Sequence, residues 1–158
     1  MTTTDRIKLL LELGEADRGR DWPDYLQYGF VETDVPALLD LVADEALDQA
    51  SSDSAEVWAP LHAWRTLGQL GSSKAAVPLI DQFDRLCEDD LALPELPIVM
   101  CMLGEPAITP LTGCMNDLNL KEFGRVMAAD SLAVVDCQTS DRLPGKNYPV
   151  LLRLHARS

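Results

Sequence analysis

One short phrase occurs twice in this chain, as LGQLGSSKAAVPLI at residues 67–80 and as MLGEPAITPL at residues 102–111. In both copies Leu-Gly is followed by a few small or polar residues and then by Pro-Leu, so that Pro78 and Pro110 lie 32 residues apart. Glycine readily ends a helix, and proline is tolerated in the first turn of the next one. The phrase therefore predicts helix, tight turn, helix, and its recurrence predicts stacked helical hairpins.

Weaker echoes extend the pattern over more of the chain. FVETDVPALL at residues 30–39 places Pro36 in the matching position, and RVMAADSLAVV at residues 125–135 reads as the first helix of another unit. No run of alternating polar and apolar residues predicts a strand. Because the intervening loops are short, successive helices should pack antiparallel in an all-α fold. The predicted helices cover residues 4–14, 22–29, 35–49, 55–70, 74–88, 92–103, 106–117, 121–136 and 147–156.

The start of the helix over 55–70 has two competing signals. Asp53 followed by Glu56 is typical of a capping box, which would begin the helix there. Pro60, however, is best accommodated in a first turn. Either the helix begins later than the box indicates, or it bends at Pro60.

The residues WAPLHAWRTLGQLGSSKAAVPLIDQF and MLGEPAITPL resemble HEAT repeats, in particular the short bacterial HEAT-like repeats named after phycobilisome lyases. The resemblance is best over residues 57–135 and weaker over 28–49. It implies a single domain over residues 1–158, built as an armadillo-like α solenoid. The hairpins would form a short right-handed α-α superhelix.

Charge is distributed unevenly along the chain, whose net charge is −13. No Lys or Arg occurs between Arg20 and Arg65, whereas residues 142–158 contain four basic residues and no acid. An acidic field repels phosphate backbones, so nucleic-acid binding is disfavoured. We expect instead a protein partner with a basic segment; the oligomeric state is left open.

Several classes of site and location are disfavoured. The chain has no apolar run of about 18–20 residues and no basic leader with a cleavage site, which predicts a cytoplasmic protein without a membrane partner. The histidines His62 and His155 are isolated, and no C-x-x-C pair occurs, so neither metal nor cofactor is expected. The four cysteines are expected to be reduced thiols, mostly buried: Cys87, Cys101, Cys114 and Cys137.

Catalysis has little support among the residues. Di-iron enzymes built on HEAT-like repeats use His-Glu pairs, but Ala63 and Ala156 follow the two histidines here. HEAT-like DNA glycosylases need a basic surface, and no nucleophile or phosphate-loop motif occurs. His62 is interpreted as an interface or core-edge residue. The leading interpretation is a non-catalytic adaptor; the alternative is a bilin-lyase-like or chaperone-like factor whose acidic centre engages a chromophore or its carrier.

An acidic strip is the candidate partner-binding surface. Asp40, Asp44 and Asp48 are spaced four residues apart, which places them on one face of the helix over 35–49. This helix corresponds to the concave-side helix of a HEAT hairpin. The next such helix extends the strip, with Arg85 interrupting it. The alternative is a solvated face with no partner. The strip comprises Asp40, Asp44, Asp48, Asp81, Asp84 and Glu88.

The two ends of the array need caps over their last apolar layers. Trp22, Tyr25, Tyr28 and Phe30 are predicted to cap the N-terminal end. The segment NYPVLLRLHARS, residues 147–158, is predicted to cap the other end. Its basic residues could also pair with an acidic surface, on the same chain or on a second copy.

Overall fold

The computed structural model of the chain describes residues 1–18 and 21–140, with side chains as far as residue 136. This part of the chain is helical and contains no strand, which confirms the all-α prediction. The predicted helix over 147–156 and the C-terminal cap lie outside the described residues. The α-helices are α1 (Thr3–Glu12), α2 (Val35–Ala43), α3 (Glu45–Asp48), α4 (Ala59–Leu70), α5 (Ala76–Ile80), α6 (Phe83–Leu86), α7 (Ala92–Leu103), α8 (Ile108–Asn116) and α9 (Glu122–Ser140).

Two layers of helices share one apolar core. In the first layer α4 packs against α7, and α7 packs against α9. The second layer contains α2, α5 and α8, and each of these contacts the next. The layers meet where α2 packs on α4 and where α8 packs on α9. Every residue of α4 from Ala59 to Gly68 is buried, so α4 forms the centre of the core.

The repeated phrase forms the predicted turns. Gly71 ends α4 in the left-handed conformation, with φ 64° and ψ 25°, and its N–H donates to the carbonyls of Leu67 and Gly68. Gly104 ends α7 with φ 75° but ψ −143°, a conformation that also favours glycine. In each case a single turn of 3₁₀ helix, Ser73–Ala75 or Glu105–Ala107, leads into the following α-helix.

Two predicted second-layer helices are interrupted. The helix expected over 35–49 breaks at Asp44, whose ψ of 98° is extended and whose carboxylate accepts a 3.0 Å hydrogen bond from the Ala46 N–H. Aspartate competes in this way with the helical backbone, which explains the break. The helix expected over 74–88 is likewise divided into α5 and α6.

The two signals at the start of α4 are resolved in favour of a later start. The capping box of Asp53 and Glu56 does not form, because a 3₁₀ turn over Glu56–Trp58 comes first and its N-terminal flank has no side-chain cap. The α-helix begins at Ala59, which places Pro60 in its first turn. Proline lacks the N–H that an α-helix leaves unpaired there, so the position suits it.

A buried ion pair fastens α1 to the start of α2. Arg6 donates to both oxygens of Asp34, from Nη2 at 2.7 Å and from Nε at 2.8 Å. Asp34 also accepts from the Val31 N–H and the Thr3 hydroxyl. Burial raises the pKa of the Asp34 carboxyl, but the hydrogen bonds from Arg6, Thr3 and Val31 outweigh it and leave the pKa below its ordinary value.

No single helix in the described ranges is long and apolar enough to cross a membrane. Within the described ranges, α7 and the following segment Glu105–Asn116 together have the length and apolar composition of a membrane span. The two segments bend by 118° at their junction.

Candidate protein-binding surface

The aspartates of the first half of the predicted strip do not share one helix face. Asp40 lies exposed on α2, Asp44 occupies the break after α2, and Asp48 lies at the end of α3. Since the chain is extended at Asp44, the expected spacing of one helical turn between these carboxylates does not hold. The three side chains are exposed, but their alignment differs from the prediction.

Arg85 does more than interrupt the strip. Its guanidinium contacts the Asp48 carboxylate and donates to the Val42 carbonyl, so it joins α6 to the α2–α3 region. A further hydrogen bond, from Nε to the Gln82 side chain at 3.0 Å, orients it. Asp48 is therefore already occupied by an intramolecular cation, which reduces its value for binding a partner.

The second half of the strip contains a groove. Asp81 is exposed at the end of α5, and Asp84 is half-buried at α6, where its carboxylate accepts a hydrogen bond from the Lys121 N–H. Glu88 is exposed further along, outside the groove lining. A groove of about 250 Å³ separates α5 and α6 from α8. Its lining consists of Val77, Ile80, Asp81, Asp84, Pro110, Gly113, Cys114, Asp117 and Leu120.

The groove combines an apolar floor with acidic walls. Val77 is 54% exposed, and it lines the groove together with the buried side chain of Ile80. Asp81, Asp84 and Asp117 line the same groove. Asp117, absent from the sequence prediction, follows α8 as its C-cap. Such a lining can accept an apolar side chain and a neighbouring cationic one.

Close approach of α9 shapes one end of the groove. A Cβ at Gly124 would lie 3.2 Å from the Asp84 Cα and 3.3 Å from its Oδ1, which is tighter than most packed Cβ contacts. Glycine at this position thus lets α9 approach α6 and lets the Lys121 N–H reach Asp84. Asp84 is positioned by the backbone of another helix.

Cys114, the cysteine that lines the groove, is not activated as a nucleophile. Cys114 is buried and reduced, and burial together with Asp117, Asp84 and Asp81 raises the pKa of its thiol. Cys87 is likewise buried, and burial raises its thiol pKa too. Since thiolate is the nucleophilic form, neither thiol is activated. Cys101 is also buried, and its thiol lies 3.9 Å from the Val134 carbonyl oxygen, whereas the side chain of Cys137 is outside the described set.

A second polar cluster lies in the core, where sequence reasoning expected only a core-edge histidine. Arg65 is fully buried and donates to both oxygens of Glu95 on α7, and the Trp64 indole N–H donates to the same carboxylate at 2.8 Å. The Arg65 guanidinium also lies 4.9 Å from the centre of the Trp22 ring. One sequence signal could have indicated this buried cluster, because Arg65 directly follows Trp64 of the apolar stripe on α4.

The same side of α4 holds the N-terminal segment. His62, Arg65 and Gln69 lie along one side of α4, three and four residues apart. His62 Nε2 donates to the Gly14 carbonyl at 2.8 Å, and Arg65 Nη2 donates to the Asp17 carbonyl at 3.0 Å. Gln69 accepts from the Tyr25 N–H and donates to the Pro23 carbonyl. These three side chains, the α4 clamp, hold the backbone at Gly14, Asp17, Pro23 and Tyr25.

The aromatic N-terminal cluster is partly a core element. Tyr25 and Phe30 are buried, and Trp22 and Tyr28 pack against the core at its edge. The Tyr25 hydroxyl donates to His62 Nδ1 at 2.7 Å, because the carbonyl of Gly14 requires the His62 proton on Nε2. The cluster therefore packs along α4, and its predicted role as a cap over the N-terminal end of a helical array stays a prediction.

Across residues 1–18 and 21–136, no group of three or more His, Cys, Asp or Glu side chains is arranged to hold a metal ion. None of the protein-family models, curated proteins or solved structures compared with this chain matches it.

Proposed function

We propose that this chain is a non-catalytic protein-interaction module that binds a basic, partly apolar segment of a partner protein. The observation that carries the proposal is the groove between α5 and α8, where three carboxylates border exposed apolar surface. Apolar contacts supply affinity, and the acidic border selects a cationic partner and speeds its association. The binding surface centres on Asp81, Asp84 and Asp117, and Asp40 and Glu88 extend it.

The finer architecture belongs to the same proposal. The repeated helix–turn–helix phrase, and the order α2, α5, α8 within the second layer, support a short HEAT-like solenoid with a right-handed α-α superhelix. In that arrangement the second helices would line the inner surface, and the groove between α5 and α8 would open onto it. The partner segment would then run across successive second-layer helices.

The test is selection of peptides from a random library on the full chain, followed by affinity measurement. We expect enrichment of Arg or Lys next to Leu, Ile, Val or Phe. The double variant Asp81→Asn/Asp117→Asn should weaken binding about 5- to 30-fold, because each exposed ion pair contributes about 0.5–1 kcal/mol. Added salt should also weaken the binding of the selected peptides to the wild-type chain, because it screens the charges.

The matched control removes two charges elsewhere. Asp53 and Glu56 are exposed and lie outside the groove, so Asp53→Asn/Glu56→Gln has the same net charge as the groove variant. An equal loss of affinity in both variants would show that the less negative net charge, and not the position of the carboxylates in the groove, weakens peptide binding. Selected peptides without basic residues, or a chromophore that copurifies with the chain, would contradict the proposal.

A further inference from the structure

Residues 142–158 match the groove in chemistry. This segment contains Arg142, Lys146, Arg153 and Arg157 and no acidic residue, and it places Val150, Leu151, Leu152 and Leu154 around Arg153. The groove offers the complementary pattern of apolar floor and carboxylate border. Opposite charges combined with matching apolar surface favour association between the two.

The chain length allows this segment to reach the groove. Lys121, directly before α9, donates its N–H to Asp84, so the N-terminal end of α9 lies beside the groove. With 19 residues, α9 carries the chain about 28 Å away from it. An extended chain advances about 3.4 Å per residue, so about eight residues are needed to return. The first residues able to reach the groove are therefore near Tyr148, immediately before the Leu-rich and Arg-containing part.

We propose that residues 148–154 of the chain occupy its own groove between α5 and α8 and compete with the partner segment. This inference rests on the proposed function, because it gives the same groove an internal ligand. A partner must displace the internal segment, so occupation in cis lowers the apparent affinity without changing the contacts that the partner makes.

Carboxylate-to-amine crosslinking with a carbodiimide tests the contact directly. In the full chain, Arg153→Lys keeps the positive charge and introduces a reactive amine at a position that we expect to lie in the groove. We expect a crosslink from position 153 to Asp81, Asp84 or Asp117, located by mass spectrometry. In a mixture of unlabelled and ¹⁵N-labelled chains, the crosslinked peptides should come from one chain only.

Two controls belong to the same experiment. Arg142→Lys introduces the same amine only two residues after Ser140, about 7 Å of extended chain, so it is too far from the groove to crosslink there. Lys74 and Glu32, whose side chains are 3.4 Å apart, provide a link that must form in every sample. If the Lys74–Glu32 link forms while position 153 links elsewhere, or only between chains, occupation in cis is overturned.

A binding measurement separates this inference from the proposed function. Arg153→Glu/Leu152→Asp should expel the segment and tighten binding of a selected basic peptide about tenfold. Peptide binding that is unchanged by this variant, together with no groove crosslink, overturns the internal ligand and leaves the proposed function standing. A groove crosslink in a chain that selects no basic peptide supports the internal contact and overturns the proposed function instead.

Discussion

Single side chains of α4 determine how the N-terminal segment is attached. His62 is buried between the Tyr25 hydroxyl and the Gly14 carbonyl, with Arg65 and Glu95 as its charged neighbours. Burial lowers the pKa of His62 below its ordinary value. Protonation would give Nδ1 a hydrogen that points at the donating Tyr25 hydroxyl, so the neutral form suits the site.

We expect acid to weaken the fold through His62. Because its folded-state pKa is depressed, the unfolded chain binds more protons between that value and about pH 6.5. The contribution of His62 to the free energy of unfolding should therefore be constant above about pH 6.5. It should decrease at lower pH, by at most about 1.4 kcal/mol per pH unit. Urea denaturation between pH 5 and 8 measures this slope.

The chain contains its own control for that measurement. His155 is the only other histidine, and it lies in residues 142–158. His62→Gln should flatten the slope between pH 5.5 and 6.5, whereas His155→Gln should leave it unchanged. The reverse result would place the titrating group outside the core.

At the scale of helices, sequence reasoning succeeded where local chemistry decides the outcome. Gly71 and Gly104 marked real helix ends, and of the two possibilities left open at Pro60 the structure has the later helix start. It failed at Asp44, because an aspartate that caps the next helix is indistinguishable in sequence from one on a continuous face. The groove depends on contacts between α5, α6 and α8, so Asp117 and Gly124 carried no signal that a local pattern could reveal.

Two glycines of similar surroundings should respond oppositely to alanine. A Cβ at Gly71 or at Gly113 would meet no atom within 4 Å, so space does not distinguish them. Gly71 has φ 64°, which costs a non-glycine residue about 1 kcal/mol, whereas Gly113 lies inside α8. Gly71→Ala should thus lower the free energy of unfolding by about 1 kcal/mol, and Gly113→Ala should raise it by about 0.5–1 kcal/mol.

Thermal or urea denaturation of the two variants measures both effects on one scale. A destabilising Gly113→Ala would mean that the groove wall at α8 cannot accept a methyl group. Peptide binding by that variant then shows whether the groove itself has been narrowed, since Gly113 lines it.

Across the whole molecule, the Arg65–Glu95 pair connects α4, α7 and the N-terminal segment in one buried unit. Removing one partner of a buried pair leaves the other charge unpaired, at a cost of about 3–5 kcal/mol. We expect Glu95→Ala to destabilise the entire chain by that amount rather than to release one end. Arg65→Met/Glu95→Leu should recover much of the loss, because no unpaired charge remains.

Tryptophan fluorescence and far-ultraviolet circular dichroism distinguish global from local unfolding. Trp22, Trp58 and Trp64 all lie near α4, whereas the dichroism signal reports helices throughout the chain. Coincident transitions in Glu95→Ala would confirm one cooperative unit. An earlier fluorescence transition would show that the α4 clamp opens separately from α7, α8 and α9.

The close approach of α9 to Asp84 has an evolutionary consequence. A side chain at position 124 would require Asp84 or α9 to shift by a few tenths of an ångström. The two positions should therefore change together in descendants of this sequence. A lineage that lost the glycine would have to shift α9 or Asp84 slightly, so the pair would record whether the groove had kept its present geometry.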